Sequence, residues 1–126
     1  MEMRPRALVV EDEGVTRNLL RQLLLNAGCD VDEATDGEQA IQRLSEERYG
    51  VILLDIVLPK LSGTDVMDFL RESDPESLER VIVVTGLNVE EIRTLFPTVC
   101  YALGKPVIPN RLLASVQKCL ALQSTV

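Results

Sequence analysis

The sequence predicts a single α/β domain with a doubly wound, five-stranded parallel sheet. Two apolar patterns alternate along its 126 residues, namely short runs of aliphatic residues and longer segments with helical periodicity. The clearest short runs, at 7–10, 51–54 and 81–84, are apolar at every position, which is typical of parallel strands covered on both faces. Weaker strand candidates lie at 30–34 and 99–103. The β–α order, repeated five times, predicts helices on both faces and right-handed crossovers.

A helical pattern follows each predicted strand. The first has a leucine-rich face at 19–27, and Gly28 follows at a position where helices often end. Asp36 suits the N-cap of the second helix, with Gln39 three residues later. The fourth helix is short and stops before Pro97. The apolar positions that mark the second to fifth helices are Ala40, Ile41 and Leu44; Val66, Phe69 and Leu70; Val89, Ile92 and Phe96; and Leu112, Leu113, Val116 and Leu120.

Composition excludes several classes of function. Aromatic residues make up only 3% of the chain, so the 46% of apolar residues must build an aliphatic core. The formal net charge of −7 argues against nucleic acid or an anionic membrane as a direct partner. No segment approaches the roughly 20 apolar residues of a membrane span. Histidine is absent, which excludes histidine catalysis and a phosphohistidine carried by this chain.

The chain limits and the cysteines give further expectations. We expect one domain over 1–126, with a core at about 6–121 and a tail or the start of a linker at 122–126. No apolar run follows the basic residues at 1–6, so no signal peptide is predicted. Three widely spaced cysteines without a C-x-x-C motif favour reduced thiols and a cytoplasmic protein. They are Cys29, Cys100 and Cys119.

Chemically active side chains follow four of the five predicted strands. The carboxyl ends of parallel strands meet at one edge of the sheet, where ligands bind in this class of fold. We therefore expect these residues to converge. In strand order they are Glu11-Asp12-Glu13, Asp55, Thr85-Gly86 and Gly104-Lys105-Pro106.

This set of groups predicts a magnesium-assisted phosphoryl site. A like-charge pair about 4 Å apart costs about 4 kcal/mol at an effective dielectric constant of about 20, so a carboxylate cluster calls for a cation. Glu11, Asp12 and Asp55 would suit Mg²⁺, with a backbone carbonyl just after Asp55 as a further ligand. Lys105 would bind phosphate, and Thr85 offers a hydroxyl. A nucleophilic carboxylate, metal ligands, a hydroxyl and a cation are what phosphoryl transfer to aspartate requires.

Each residue also has a structural explanation when it is taken alone. The first acidic residues could cap a helix, and Asp55 could cap the turn that follows it. A threonine at a strand end is usually structural, and a Lys-Pro pair is common in surface loops. The functional interpretation depends on all of them meeting at one edge.

At these positions the sequence resembles the receiver domain of two-component response regulators, including the chemotaxis-regulator type. The resemblance extends from Ala7 to about Leu120, and it implies a flavodoxin-like sheet with strand order 2-1-3-4-5 and five helices. The matching segments are Leu8-Val9-Val10-Glu11-Asp12-Glu13, Ala34-Thr35-Asp36-Gly37-Glu38-Gln39-Ala40, Leu53-Leu54-Asp55-Ile56-Val57-Leu58-Pro59 with Ser62-Gly63, Val83-Val84-Thr85-Gly86 and Lys105-Pro106.

The resemblance implies a role for each matching residue. Asp55 would be the phosphoacceptor, and Glu11 and Asp12 the acidic pair that holds Mg²⁺. It also implies a cis peptide bond before Pro106. The other implied roles are the Val57 carbonyl as a Mg²⁺ ligand, Thr85 and Lys105 as groups that bind the phosphoryl oxygens, and the backbone N–H groups of Val57 and Gly86 as further donors.

The resemblance also implies partners. Because this chain has no histidine, the phosphoryl donor would be a sensor histidine kinase or phosphotransfer protein in trans, or a small acyl phosphate. The phosphorylated surface would act on a downstream protein or on a fused effector domain absent here, and a homodimer through helix 4, strand 5 and helix 5 is a further expectation. Such a switch is no enzyme beyond its own phosphoryl transfer and dephosphorylation.

Several positions depart from the family pattern. Ala102 stands where an aromatic residue usually couples to the threonine, and Tyr101 lies one residue earlier. Strand residues alternate between faces, so Tyr101 should not replace that aromatic residue unless a bulge shifts the register. We expect a short fourth helix and altered signalling there. Val57 and Leu87 flank the route of the hydrolytic water, and their apolar side chains predict a long-lived phosphoryl group.

Three other functions compete with this interpretation. An aspartyl-phosphate phosphatase of the haloacid-dehalogenase type needs a second Asp two residues after Asp55, where Val57 stands. A flavin or nucleotide binder needs a glycine-rich first turn, but Glu11-Asp12-Glu13 would repel phosphate. A receiver-like interaction module that is not phosphorylated would not need the complete set of site residues.

Overall fold

The computed structural model describes residues 4–124 and contains one parallel five-stranded sheet. The strand order is β2-β1-β3-β4-β5, as the sequence predicted. Both faces are covered by helices, so the doubly wound class is also confirmed. The strands are β1 (Arg6–Val10), β2 (Asp30–Ala34), β3 (Val51–Leu54), β4 (Val81–Thr85) and β5 (Tyr101–Gly104).

Five α-helices connect or follow these strands, and the alternation of strand side chains assigns them to two layers. One core joins the even-numbered residues of β1 and β3 to the second, third and fourth helices. The other joins their odd-numbered residues to the first and fifth helices. The helices are α1 (Gly14–Asn26), α2 (Gly37–Glu46), α3 (Gly63–Ser73), α4 (Val89–Leu95) and α5 (Pro109–Ser124), and a 3-10 helix spans Pro75–Arg80.

The helix boundaries follow local capping chemistry. The Asp36 side chain accepts a hydrogen bond from the Gln39 N–H, as predicted for the N-cap of α2. The Gln39 side chain does not close a capping box with Asp36; it accepts from the Thr35 N–H instead. Gly28 follows α1 with a φ of 89°, the left-handed conformation that favours glycine at this position. Helix α4 has only 7 residues and ends before Pro97.

Some predicted boundaries differ from the structure. The last strand begins at Tyr101 rather than at residue 99, because Val99 and Cys100 lie in the turn between α4 and β5. Helix α5 continues beyond residue 121 to Ser124, so 122–124 are helical; 125 and 126 lie outside the described residues. Within residues 4–124, no helix has the length and apolar character needed to cross a membrane.

The prediction of three reduced thiols is wrong for two of them. Cys100, just before β5, forms a disulfide with Cys119 of α5. The two residues are far apart in sequence, and their proximity arises only when α5 packs against the sheet. Cys29 is a free, buried thiol. The disulfide ties α5 to the amino-terminal end of β5, away from the predicted site.

A partly buried polar network lies towards the amino-terminal end of the sheet. The Tyr49 hydroxyl donates to Asp32 Oδ2 at 2.7 Å, and Arg6 donates to the same oxygen at 2.6 Å. Arg80 is also buried and donates through Nε to the Tyr49 carbonyl at 2.8 Å. Burial raises the pKa of Asp32, but the hydrogen bonds from Tyr49 and Arg6 outweigh it and lower the pKa overall. The network therefore favours the charged form of Asp32.

We predict that Asp32→Ala lowers the free energy of unfolding by about 1–3 kcal/mol, because it leaves the buried Tyr49 hydroxyl without its acceptor. Urea denaturation would measure the change. The lowered pKa means that Asp32 stabilises the folded state fully above its ordinary pKa of 3.8, and this stabilisation is lost as pH falls through the lowered value.

Asp30→Ala is the matched control, since it removes a carboxylate from the same strand. Its partner is Arg4 in an exposed ion pair, so we expect a loss of at most about 1 kcal/mol. Equal losses in the two variants would show that the network around Asp32 contributes no more to the free energy of unfolding than an exposed ion pair.

Candidate functional site

Lys105 joins two buried carboxylates at the carboxyl-terminal edge of the sheet. Its Nζ lies 2.6 Å from Glu11 Oε1 and 2.8 Å from Asp55 Oδ2. Glu11 is 1% exposed and Asp55 is 5% exposed. These side chains come from the ends of β1, β3 and β5, which lie at distant positions in the sequence. The structure thus brings together three of the residues that the strand ends predicted.

Asp12 completes a group of three carboxylates that matches a hard divalent cation. Glu11, Asp12 and Asp55 each offer one oxygen, and these oxygens all lie within 4.8 Å of one another. Octahedral Mg²⁺ with ligands at about 2.1 Å holds oxygens about 3 to 4 Å apart, so a small movement of these side chains would let all three contact one ion. Three carboxylates and one lysine leave a charge of −2, which one Mg²⁺ would neutralise. Asp12 is exposed, so the cluster opens to solvent.

Burial and ion pairing act in opposite directions on this site. Burial raises the pKa of Glu11, and the contact with Lys105 offsets this only in part. Burial also lowers the pKa of Lys105, but its hydrogen bonds to Asp55 and Glu11 outweigh that effect and raise the pKa overall. Lys105 therefore remains charged, and its ammonium group favours the charged form of Glu11, in opposition to burial. A metal ion at this position would favour the charged carboxylate further.

The predicted phosphate-binding groups lie at or just beyond the ends of neighbouring strands. Thr85 is fully buried at the end of β4, and its hydroxyl accepts a hydrogen bond from the Leu87 N–H at 3.2 Å. The Val57 N–H donates to Asp55 Oδ1 at 3.2 Å, so it already points at the predicted phosphoacceptor. Gly86 follows Thr85 directly, and a Cβ added there would meet nothing within 4 Å. The Lys105–Pro106 bond is cis, as the resemblance implied.

Arg17 is a site residue that the sequence reasoning missed. Its Nη1 donates to the backbone carbonyls of Glu11 at 3.2 Å and Asp12 at 3.3 Å. These bonds fix the turn that carries both predicted metal ligands. The signal in the sequence was weak, because an arginine in the first turns of a helix is usually a solvated surface residue. The contact forms because α1 begins at Gly14, directly after the turn, and its first turn places Arg17 within reach of both carbonyls.

The expected departure at β5 has a clear structural form. Ala102 pairs in register with Val83 and packs in the core beneath α2, α3 and α4. Tyr101 is opposite Ile82 and packs in the core on the α1 and α5 side. No bulge shifts this register, so Tyr101 does not take the place of the missing aromatic residue.

The doubly wound sheet, with an acidic cluster, a lysine and a buried threonine at its carboxyl edge, has the arrangement that the resemblance implied. Residues 7–117 match the family model described as the response regulator receiver domain. This chain belongs to that family. Receiver domains are signalling switches of two-component systems.

Individual relatives agree with this assignment. The chain is 34% identical over 116 residues to the transcription factor SKN7 of Candida albicans, covering 90% of this chain and 20% of that protein. It is 26% identical over 117 residues to the chemotaxis protein CheY of Thermotoga maritima, covering 92% of this chain and 98% of CheY. The chain thus spans about a fifth of one relative and nearly all of the other.

Solved structures support the same fold. A CheY-like receiver domain from Methanospirillum hungatei superposes with a TM-score of 0.85 at 26% identity, over 96% of this chain and 97% of that one. The receiver domain of the sensor histidine kinase PA1611 from Pseudomonas aeruginosa, solved with magnesium in its active-site cleft, has a TM-score of 0.83 at 26% identity. That match covers 94% of this chain and 99% of the other.

We predict that Asp12→Asn weakens Mg²⁺ binding by at least about tenfold, because it removes one of three anionic ligands. Isothermal titration calorimetry would measure the affinity. Asp12 is exposed, so the substitution should leave the fold intact.

Glu13→Gln is the matched control for this experiment. It removes the same charge one residue later, where the side chain caps α1 by accepting from the N–H groups of Val15 and Thr16. A glutamine oxygen can still accept such a bond, and we expect nearly unchanged Mg²⁺ affinity. An equal loss in both variants would show that general charge, rather than ligation by Asp12, determines binding.

Proposed function

We propose that the chain is the phosphoacceptor switch of a two-component system, in which Asp55 receives a phosphoryl group and a protein-interaction surface changes in response. The observation that carries the proposal is the convergence of Lys105 on Glu11 and Asp55, with Asp12 completing the carboxylate cluster. A structural role alone would not need three carboxylates and one lysine at an edge open to solvent.

Asp55 is the proposed nucleophile. An oxygen of its carboxylate forms a bond to phosphorus, while the bond from phosphorus to the histidine nitrogen of the donor, or to the oxygen of an acyl phosphate, breaks. Lys105 balances charge on the transferring group, and the Val57 N–H, which already faces Asp55, binds one of its oxygens. Glu11, Asp12, Asp55 and the Val57 carbonyl would hold Mg²⁺. When bound, that ion supplies positive charge beside the phosphoryl oxygens.

The switch follows from the added charge. Phosphorylation brings about −1.5 to −2 charge and three acceptor oxygens to Asp55. The Thr85 hydroxyl, which now accepts from Leu87, would turn to donate to a phosphoryl oxygen, and the Gly86 N–H would donate to another. Shifting an equilibrium from 1:99 to 99:1 takes about 5.5 kcal/mol, and a few charge-assisted hydrogen bonds at about 1.5–3 kcal/mol each supply it.

The signal would leave the site by an unusual path. Ala102 cannot relay the movement of Thr85 as an aromatic side chain would, and α4 is short. We infer that the loop after β4 and the start of α4 transmit the change directly, through the backbone that follows Thr85. The surface of α4, β5 and α5 is the proposed contact for a downstream protein, a fused effector domain or a second copy.

The proposed donor is a sensor histidine kinase or phosphotransfer protein. This places the chain in the cytoplasm, since donor and acceptor must share a compartment with the kinase's ATP. A disulfide such as Cys100–Cys119 is uncommon there. It lies at the opposite end of β5 from Lys105, so it takes no direct part in phosphoryl transfer. The chain catalyses no reaction beyond its own phosphorylation and dephosphorylation.

Labelling with acetyl phosphate tests the proposal. We predict that the wild-type protein gains the mass of one phosphoryl group when Mg²⁺ is present and none when it is absent, as measured by intact-protein mass spectrometry. Asp55→Ala should gain none under either condition, because the nucleophile is missing. Asp68→Ala, which removes an exposed carboxylate of α3, should label like the wild type. Labelling of Asp55→Ala, or none of the wild type, would overturn the proposal.

The lifetime of the phosphoryl group gives a separate prediction. Val57 is 59% exposed and Leu87 is 47% exposed, and neither side chain can orient water. We expect the purified phosphoprotein to persist well beyond seconds. Val57→Asn should shorten its lifetime by about three- to tenfold, because an amide can position the attacking water.

Leu95→Asn makes the same kind of change at an exposed position of α4, and its lifetime should match the wild type. Decay would be followed by mass spectrometry after removal of acetyl phosphate. A wild-type half-life of seconds would refute the role of these apolar positions.

A further inference from the structure

Helices α1, α2 and α3 all begin with glycine directly after a capping side chain, but the three glycines differ in their surroundings. A Cβ added at Gly14 would find its nearest atom, in the Arg17 side chain, at 3.8 Å. A Cβ at Gly37 would lie 1.8 Å from the Leu61 carbonyl oxygen. A Cβ at Gly63 would lie 2.4 Å from the Asp55 carbonyl oxygen. Only the first position has room for a side chain.

Both crowded glycines face the same segment, the loop of residues 55–62 between β3 and α3. The Gly63 N–H donates to the Ile56 carbonyl at 2.8 Å, at the beginning of this loop. The Gly37 N–H lies 3.5 Å from the Pro59 carbonyl, nearer its end. The loop therefore passes between the starts of α2 and α3 with backbone packed against backbone. Flexible side chains could yield to an added methyl group, but a carbonyl moves only with its loop.

Lys60 links this loop to α2 through an ion pair. It adopts a φ of 64°, the left-handed region that residues other than glycine seldom occupy. Its Nζ lies 3.5 Å from Asp36 Oδ2, and Asp36 is the buried N-cap of α2. The loop is thus tied to α2 by an ion pair as well as by its close approach to Gly37.

We propose that Gly37 is a positioning residue for the phosphoryl and metal site. Together with Gly63 and the Lys60–Asp36 pair, it would fix the position of the loop at residues 55–62 relative to the starts of α2 and α3. The inference rests on the proposed function, because the loop carries Asp55 and the Val57 backbone groups assigned to the phosphoryl group and Mg²⁺. Gly37 lies on another element and contacts neither ligand. Its effect would pass through the loop backbone alone.

The size of the effect follows from the contact distance. A carbon 1.8 Å from a carbonyl oxygen is far inside any real contact, so an added methyl group would displace the loop or the start of α2 by about 1 Å. A misplacement of about 1 Å in a binding constellation can cost about 100-fold in function. Leu61 and Lys60 are exposed, so the loop can move outward without unfolding the core. Gly63 presses on the buried Asp55 backbone, which makes it the less suitable position to test.

The experiment compares Gly37→Ala with Gly14→Ala by calorimetric titration with Mg²⁺ and by the rate of labelling with acetyl phosphate. Gly14→Ala is matched in residue change, in helix position and in its location at the same edge of the sheet. We expect Gly37→Ala to weaken Mg²⁺ binding and slow labelling by at least about tenfold, and Gly14→Ala to stay within about twofold of wild type. Circular dichroism would establish that each variant is folded at the titration temperature.

A second variant covers the case in which Gly37→Ala does not fold. Lys60→Gly keeps the left-handed conformation without strain but loses the bond to Asp36, and we expect it to weaken Mg²⁺ binding by about twofold or more. Lys60→Arg retains the charge and should bind like the wild type. Wild-type affinity in folded Gly37→Ala, or in Lys60→Gly where Gly37→Ala is unfolded, would overturn the inference and leave the proposed function standing. Absence of Mg²⁺ binding and labelling in the wild type would overturn both.

Discussion

The Lys105 ammonium group, held between Glu11 and Asp55, is the interaction on which the carboxyl edge of this domain depends. The two carboxylates are buried side by side, where like charges repel each other strongly, and burial raises the pKa of the Glu11 carboxyl. The lysine stabilises the two charged carboxylates by pairing with both of them. Asp12 is exposed, so the cluster remains accessible to a cation from solvent. The same arrangement that lets the protein fold therefore leaves the cluster two charges short of neutrality, which is the charge of one Mg²⁺.

The polar network around Asp32 and the proposed phosphoryl site around Asp55 lie at opposite ends of the sheet. At the amino-terminal end, Asp32 accepts two short hydrogen bonds on the same oxygen, from Tyr49 and Arg6. At the carboxyl-terminal end, Asp55 is held by one lysine and one long backbone hydrogen bond, both of which can be replaced. Groups whose hydrogen bonds are few and replaceable can bind a new ligand at a small cost in free energy. The proposed phosphoryl site accordingly lies where the strands end in loops. The loop at residues 55–62 is held by its close contacts with Gly37 and Gly63 and by the Lys60–Asp36 ion pair.

The proposed route from the site to the surface passes through the positions that depart from the family pattern. Thr85 is buried and bonded to Leu87, so any rearrangement of its hydroxyl pulls on the segment that leads into α4. Ala102 offers neither bulk nor a polar group to extend that movement across β5. A helix of 7 residues has few internal hydrogen bonds to resist a change at its first turn. The short α4 and the alanine at position 102 both support the proposal that the output region departs from the family pattern.

The sequence by itself determined the fold class, the strand order implied by the family pattern, and the polar residues that end each strand, because continuous apolar runs and the residues that end them are local features. It also specified the Asp36 cap and the end of α4 before Pro97. The tertiary structure alone decided which groups meet. The Cys100–Cys119 disulfide and the contact of the loop at residues 55–62 with Gly37 join different elements of the fold. The bonds from Arg17 to the Glu11–Asp12 turn span only a few residues, but they depend on the direction in which α1 follows β1. Such contacts depend on how the helices pack against the sheet, and no local pattern of residue types specifies the distance between a helix and a neighbouring loop or strand.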